Sequence, residues 1–449
     1  MARLTVQTFL NGFWHDACEL QFKEPDAGRY GKVLLEYDAG YVARFQGNPA
    51  ALVSVCYPLD FFPHETSQWP AFLLDIMPLG AARRYWGQYL NLPDIQHPKY
   101  DFQLLKEATR APVGNLRIKE SASESELTAI GFPMDQVLEQ ATEFLDYARS
   151  QGAAVGGATG AGGDAPKYQL IRGDDNLYYP DAALPDNRAL EYLLIKFPRR
   201  SSSQGRALDS DRLILETEHA YYELAKRLGV DSVQATLHIE ARPLSEDKIH
   251  SLWMPRFDRK VDGRQVERIA VESLYSLSGV IEAGASIDHA VYLKKLAGLW
   301  RVNDQEQDTE FMVQEYLRRD LLNVLLGNSD NHGRNTSIMR LETGLCLAPV
   351  YDLAPMVLDE SGITRTSRWH RNHELGGEFH WREICEEAAK ATATDGQNLW
   401  NGLRDFALTL QDVPRYAEES GVPDAVLDIN RHALNLRGVP GHLKHWGLL

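Results

Sequence analysis

Gly327-Asn328-Ser329-Asp330-Asn331-His332-Gly333-Arg334-Asn335, followed by Pro349-Val350-Tyr351-Asp352, is the stretch whose reading decides the fold. It presents an aspartate, an asparagine five residues later and a second aspartate beyond a short turn. Two carboxylates and one carboxamide in that order suit phosphoryl transfer. The first aspartate positions a hydroxyl or takes its proton, while the asparagine and second aspartate offer hard oxygen ligands to magnesium. Loops of Asn, Ser, Asp and Gly also serve as plain turns. The flanking sequence favours chemistry. A long apolar helix is predicted to stop at Gly327, and a strand is predicted at Ser337-Ile338-Met339. Glu342-Thr343-Gly344 then turns the chain into a second strand, 345–351, which returns Asp352 towards Asn335. His332 has no partner at zinc-ligand spacing and reads as an orienting or packing residue beside the base.

Working outward, residues 151–163 (QGAAVGGATGAGG) form the most biased segment of the chain. By composition this is a flexible linker. It contains no GxxxxGK[ST], so a Walker A loop is excluded. Gly160 to Ala165 fits GxGxxG/A, but a dinucleotide fingerprint needs a strand before it and a helix after it. Here the predicted order is the reverse, with a strand at 167–172 following. A glycine-rich loop running into a strand is instead how kinases lay backbone N–H groups over phosphates. Lys196 lies in the apolar run Leu193-Leu194-Ile195-Lys196-Phe197. It is either an edge-strand lysine reaching water or a phosphate-binding lysine. The second reading predicts a glutamate on the next helix, where Glu216, Glu218 and Glu223 are available. Surface i,i+4 pairing is the plain alternative for all three. His370, His373 and His380, with Arg365, Arg368 and Arg371, read as a solvated loop, with a substrate-docking surface as a secondary idea.

The 449 residues are 44% hydrophobic, enough for about two or three domains. A net charge of -16 repels nucleic-acid phosphates on average, so DNA contact would need a local basic patch or a basic partner. Four scattered cysteines without a CxxC argue against a disulfide framework and for a reducing cytoplasm. No signal peptide and no membrane span are read from the sequence.

Strands are expected at Leu4–Leu10, Val33–Tyr37, Val42–Phe45 and Leu52–Val55, with Asn11-Gly12 as a hairpin turn. Helices are expected within 68–90, with breaks at Pro70 and Pro78, then from 101, over 134–150 and at about 212–228, the last capped by Gly229. A turn at Pro112–Asn115 and a strand at Leu116–Ile118 follow the second of these. From about 285 onward helices dominate.

These residues together resemble the HipA family of serine/threonine kinases, the toxins of bacterial HipBA-type toxin–antitoxin modules. The resemblance runs over nearly the whole chain. It includes Phe72–Leu79, Asp101–Leu105 through Val113-Gly114, the glycine loop ending in Pro166-Lys167, Ile195–Pro198, the helix from Glu218 to Gly229 and Arg256–Arg259. Most specific is Asp330-x-His332-x-x-Asn335 with Tyr351-Asp352.

The resemblance implies an α+β, two-lobed protein-kinase-like fold with an N-terminal β-rich subdomain and a helical C-lobe. Segments 1–130, 131–260 and 261–449 are the expected divisions. It implies ATP and Mg2+ as cofactors and Asp330 as the catalytic aspartate. Asn335 and Asp352 would be metal ligands, Lys196 the ATP-phosphate lysine and Glu218 its ion-pair partner. Gly162, Gly163 and Lys167 would fold over the nucleotide. Pro255, Arg256 and Phe257 would lie beside adenine, with His332, Arg334, Asn335, Tyr351 and Asp352 as further nucleotide contacts. The family's regulatory serine falls at Gly160, so autophosphorylation is lost or has moved to Thr159. Pro255 stands where the family is often acidic and has no N–H to offer.

The implied activity is that of a protein serine/threonine kinase acting on growth or translation, through an aminoacyl-tRNA synthetase or translation factor. A HipB-like helix-turn-helix antitoxin would be the partner, and DNA would be reached only through it. A small-molecule or phosphoinositide-type kinase is one alternative. A catalytically weak kinase-fold partner of a DNA-binding antitoxin is another.

Overall fold

Asn11 and Gly12 both adopt positive φ, 52° and 80°, and fold the first two strands into a hairpin. This is the conformation that makes Asn-Gly a hairpin signal. The computed structural model describes residues 2–122, 129–140, 142–150, 165–199, 209–241 and 248–449. Two compact units emerge: Met1–Phe197, His238–Ala283 and Ser337–Gly344 form the first, and Pro198–Leu237, Gly284–Thr336 and Leu345–Leu449 the second.

In the first unit, β1 (Ala2–Leu10), β2 (Phe13–Phe22), β3 (Val33–Tyr37), β4 (His64–Thr66) and β5 (Leu116–Ile118) form one sheet in the order β4-β3-β2-β1-β5. Its pairings are antiparallel. Leu4, Val6, Leu20, Phe22, Val33 and Leu35 are fully or almost fully buried on it. They pack with Trp69, Leu73, Leu74, Leu104 and Leu105. The register shifts between Val6 and Gln7, a bulge that re-aims the end of β1.

Three expectations change here. Val42–Phe45 is not a strand but part of the helix α1 (Ala39–Phe45). Asp38 caps it by accepting the Tyr41 N–H at 2.8 Å, and Tyr41, Val42 and Phe45 are buried at helical spacing. Leu52–Val55 is irregular chain after a 3-10 turn at Pro49–Ala51. The expected single helix at 134–150 is two, Met134–Leu138 and Thr142–Ser150, broken near Gln140, whose φ is 53°.

A second sheet of this unit runs β7-β6-β8-β10-β9, from β6 (Lys167–Gly173), β7 (Tyr178–Pro180), β8 (Ala189–Lys196), β9 (Thr236–Ala241) and β10 (Lys248–Pro255). Beyond it, β11 (Arg259–Asp262) and β12 (Gln265–Arg268) form a hairpin. Next, β13 (Ala270–Ser273) pairs with the distant strand Ser337–Leu341. Glu272, only 2% exposed, organises that junction. It accepts from the Ser54 hydroxyl at 2.6 Å, the Val55 N–H at 3.0 Å and the Ser276 hydroxyl at 2.7 Å, and it pairs with the buried Arg340. Glu272→Gln is expected to lower stability by about 3–5 kcal/mol, because it strands a buried guanidinium. Urea denaturation of the variant checks this.

The second unit is mainly helical. Helix Asp209–Arg227 ends just before Gly229, at φ 71°, as its C-cap signal indicates. Helices His289–Val302, Thr309–Leu325, Trp381–Thr392 and Gly396–Leu410 supply most of the core, with Leu317, Leu321, Trp381, Ile384, Leu403 and Leu410 buried. Among the described residues, no helix is long and apolar enough to cross a membrane.

Candidate active site

The helix Thr309–Leu325 ends where Gly327 takes φ 67°, so the chain reverses into the loop. A β-carbon on Gly327 would lie 2.9 Å from the Val357 side chain and 3.1 Å from the Ala433 carbonyl oxygen. Gly327→Ala is therefore expected to cost about 2 kcal/mol or more, from both strain and overpacking. Thermal unfolding reads this directly.

Past that turn the loop is held by its own polar groups. Asn335 Nδ2 donates to the Asp330 carbonyl at 2.6 Å, and Asn335 N–H donates to the His332 carbonyl at 2.9 Å. Arg334 N–H donates to His332 Nδ1 at 3.2 Å, which leaves the proton of a neutral His332 on Nε2. That nitrogen lies 3.4 Å from Asp330 Oδ1. His332 is thus oriented by backbone and its Nε2 faces the aspartate. Tyr351 Oη donates to the Arg334 carbonyl at 2.6 Å, tying the second motif to the first. Asn331 Nδ2 reaches the Ser367 carbonyl at 3.0 Å.

Asp352 sits in the left-handed region at φ 51°, unusual for a residue with a β-carbon and the kind of strain that collects at functional sites. Two supports hold it there. Val350 exchanges backbone hydrogen bonds with Asp231 and Val233, both at 2.9 Å. Asn328 Nδ2 donates to the Asp352 carbonyl at 3.2 Å. Nearby, Tyr222 Oη donates to Glu218 Oε1 at 2.5 Å. Burial, then the negative charges of Glu218 and Asp352, push the Tyr222 phenol well above its usual range, so it stays a donor.

Asn335 Oδ1 is buried and has no hydrogen-bond partner among the described residues. An orphaned buried carboxamide oxygen asks for a donor or a cation. With the Asp352 carboxylate it gives the oxygen set magnesium prefers. The residues present therefore fit that ion.

The remaining expected residues fall into groups. Lys167 and Lys196 are directly opposed across β6 and β8 in the first unit, and Lys196 is only 4% exposed. Pro255 is exposed at the end of β10. Arg256 is 6% exposed and structurally committed. Its N–H donates to the Tyr192 carbonyl at 2.9 Å, and its guanidinium pairs with Asp181 and Asp258. Phe257 is half-buried. Thr159, Gly160, Gly162 and Gly163 lie outside the described residues. His373 Nδ1 contacts Glu387 at 2.6 Å. The sequence reading missed Asn328 and Tyr222. Asn328 stood inside the quoted stretch, but its reach to Asp352 depends on the hairpin's return.

The chain has a two-lobed fold. That fold has an N-terminal β-rich region and a C-terminal helical region. Residues 159–410, more than half of the chain, match the HipA-like C-terminal domain, and the chain belongs to that family. It is 26% identical over 306 residues to Toxin YjjJ of Escherichia coli (strain K12), covering 65% of this chain and 61% of that toxin. The chain thus matches less than two thirds of that relative's length. HipA in the HipA, HipB and operator DNA complex of the Shewanella oneidensis MR-1 toxin–antitoxin system has the same fold. The TM-score is 0.62, at 17% identity, over 99% of this chain and 96% of that one.

Proposed function

We propose that this protein is an ATP- and magnesium-dependent serine/threonine protein kinase of the HipA toxin type. The observation that carries the reading is the Asp330 loop, in which one asparagine locks the catalytic segment by its nitrogen and leaves its oxygen buried and unpartnered. Asp330 accepts the hydroxyl hydrogen of the acceptor residue, and His332 Nε2 holds that carboxylate in place. Asn335 Oδ1 and Asp352 would hold magnesium, which when bound neutralises phosphate charge. Lys167 and Lys196 offset the phosphates of the nucleotide. Catalysis on this reading is positioning and electrostatics, with little covalent work for the protein.

Family membership supports kinase character, and the likeness to a HipA solved with HipB and operator DNA supports a HipB-like antitoxin as partner. The acidic balance of the chain fits a protein that meets DNA only through such a partner. A cytoplasmic translation factor or aminoacyl-tRNA synthetase is the proposed acceptor class. Incubation with γ-labelled ATP, magnesium and cell lysate tests the reading. Label is expected in protein on serine or threonine and abolished by EDTA. Label in the organic or small-molecule fraction would favour a metabolite or lipid kinase. Magnesium–ATP binding without any transfer would favour a binding partner of the antitoxin.

A further inference from the structure

In β5, Leu116 and Ile118 turn into the core, and Arg117 between them points to the other face of the sheet. There it lines a cavity of about 410 Å³ in the first unit, together with Trp14, Arg110, Asp181, Asp186 and Arg268. Two neighbours fix its half-buried guanidinium. Nε donates to Gln7 Oε1 at 2.7 Å, and Cζ sits 4.1 Å from the centre of the Trp14 ring. Both Nη nitrogens keep access to solvent and make no hydrogen bond among the described residues.

The acids within reach are already spent. Asp16 accepts from Lys119 Nζ and from Gln7 Nε2, both at 2.6 Å. Asp186 accepts from Arg268 Nη2 at 2.8 Å and from Tyr192 Oη at 2.5 Å. Asp181 is shared by Arg256, Arg259 and Arg268, and Asp258 by Arg256 and Arg259. Arg268 stands beside the same indole as Arg117, 5.3 Å from the ring centre. Arg117, Arg256, Arg259 and Arg268 thus meet Asp181, Asp186 and Asp258, which leaves one positive charge over. It falls on Arg117, with which no carboxylate pairs among the described residues. Burial, then the charge of Arg268, pull the Arg117 guanidinium down to about 10, so it stays charged at neutral pH. A partly desolvated cation held next to another cation is costly until an anion joins it.

We propose that this cavity is an oxyanion site, in which the Nη edge of Arg117 holds a phosphate or carboxylate group by two parallel hydrogen bonds beside Arg268. A planar fork with one edge unspent matches either group. The site belongs to the first unit, whereas Asp330 belongs to the second, and it needs no part of the kinase reading.

Calorimetry on the full chain at constant ionic strength, with inorganic phosphate, sulfate, acetate and succinate as probes, tests the site. At least one is expected to bind saturably with a Kd below about 10 mM and to raise the thermal unfolding midpoint. Tighter phosphate assigns a phosphate ester as the natural source and a tighter carboxylate an organic acid; both support the site. Arg117→Gln is expected to weaken binding about 10-fold or more. Arg117→Lys keeps the charge and loses the fork, and is expected to weaken it less. Thermal unfolding without anion is expected to show both variants folded, since neither change breaks an ion pair. Lys196→Gln is expected to leave the binding unchanged. No saturable binding by any probe up to about 50 mM would overturn the proposal, as would wild-type binding in Arg117→Gln. Loss of binding in Lys196→Gln with wild-type binding in Arg117→Lys would place the anion at the nucleotide lysine and overturn it as well.

Discussion

Asp330→Asn is expected to reduce phosphate transfer from γ-labelled ATP by about 10²–10⁴-fold, because the amide cannot accept the acceptor hydroxyl's hydrogen as a base does. Asp352→Ala is expected to cost at least as much, since it removes the only carboxylate proposed to hold the metal. The two variants separate roles. Asp330→Asn keeps the proposed magnesium ligands and is expected to bind magnesium–ATP nearly as wild type does. Asp352→Ala is expected to lose magnesium-dependent nucleotide affinity at a small further cost in stability, since alanine tolerates φ 51° less well than aspartate does. Transfer and calorimetry on the same preparations distinguish these outcomes. Undiminished transfer in either variant would falsify the assignment.

Arg256→Ala is expected to destabilise the protein by about 3–5 kcal/mol without touching the chemistry. The side chain pairs with Asp181 and with Asp258 Oδ2, at 2.6 Å to the latter, and donates to the Pro112 carbonyl. Arg259 Nη1 also pairs with Asp258 Oδ2 at 2.6 Å, and Gly114 N–H donates to the same oxygen at 2.7 Å. Burial alone would raise the Asp258 carboxyl, but the Arg256 and Arg259 guanidiniums outweigh it and hold it well below the usual carboxylate range. A carboxyl depressed in the folded state contributes stability that is complete above its unfolded value of about 3.9 and is lost as pH falls below it. In Arg256→Ala, burial regains ground and the carboxyl rises towards its unfolded value, so the stability is expected to be lower at neutral pH and its loss on acidification smaller. Urea midpoints between neutral and acid pH read both effects. Arg256→Lys is expected to rescue little, since an ammonium cannot reproduce the forked pairing.

The sequence carried the end of the helix Thr309–Leu325 at Gly327 and the polar loop after it because the residues that make the turn are local. It carried the Asn11-Gly12 hairpin and the Gly229 cap because both depend on positive φ. It misled at Val42–Phe45, where apolar alternation over four residues is ambiguous and the Asp38 cap decided for helix. It overran at 134–150, where nothing in the apolar spacing marks the break near Gln140. The roles of Asn328, Tyr222 and Arg256 were not legible, because each depends on a partner distant in sequence. Arg256 is a case in point: its side chain joins a buried ion network with Asp258 and with Asp181, which lies elsewhere along the chain from its own strand end.

The two units interleave along the chain, and this has a consequence for synthesis. The first unit is incomplete until the strand Ser337–Leu341 has been made, because that strand pairs with β13. Asn335 emerges before it and Asp352 after it, within the second unit. On the proposed reading, a nascent chain carries its base and one metal ligand before it carries the other. A chain cut short of residue 352 would, on that reading, lack a complete metal site, so the interleaved order ties phosphoryl transfer to synthesis of both units.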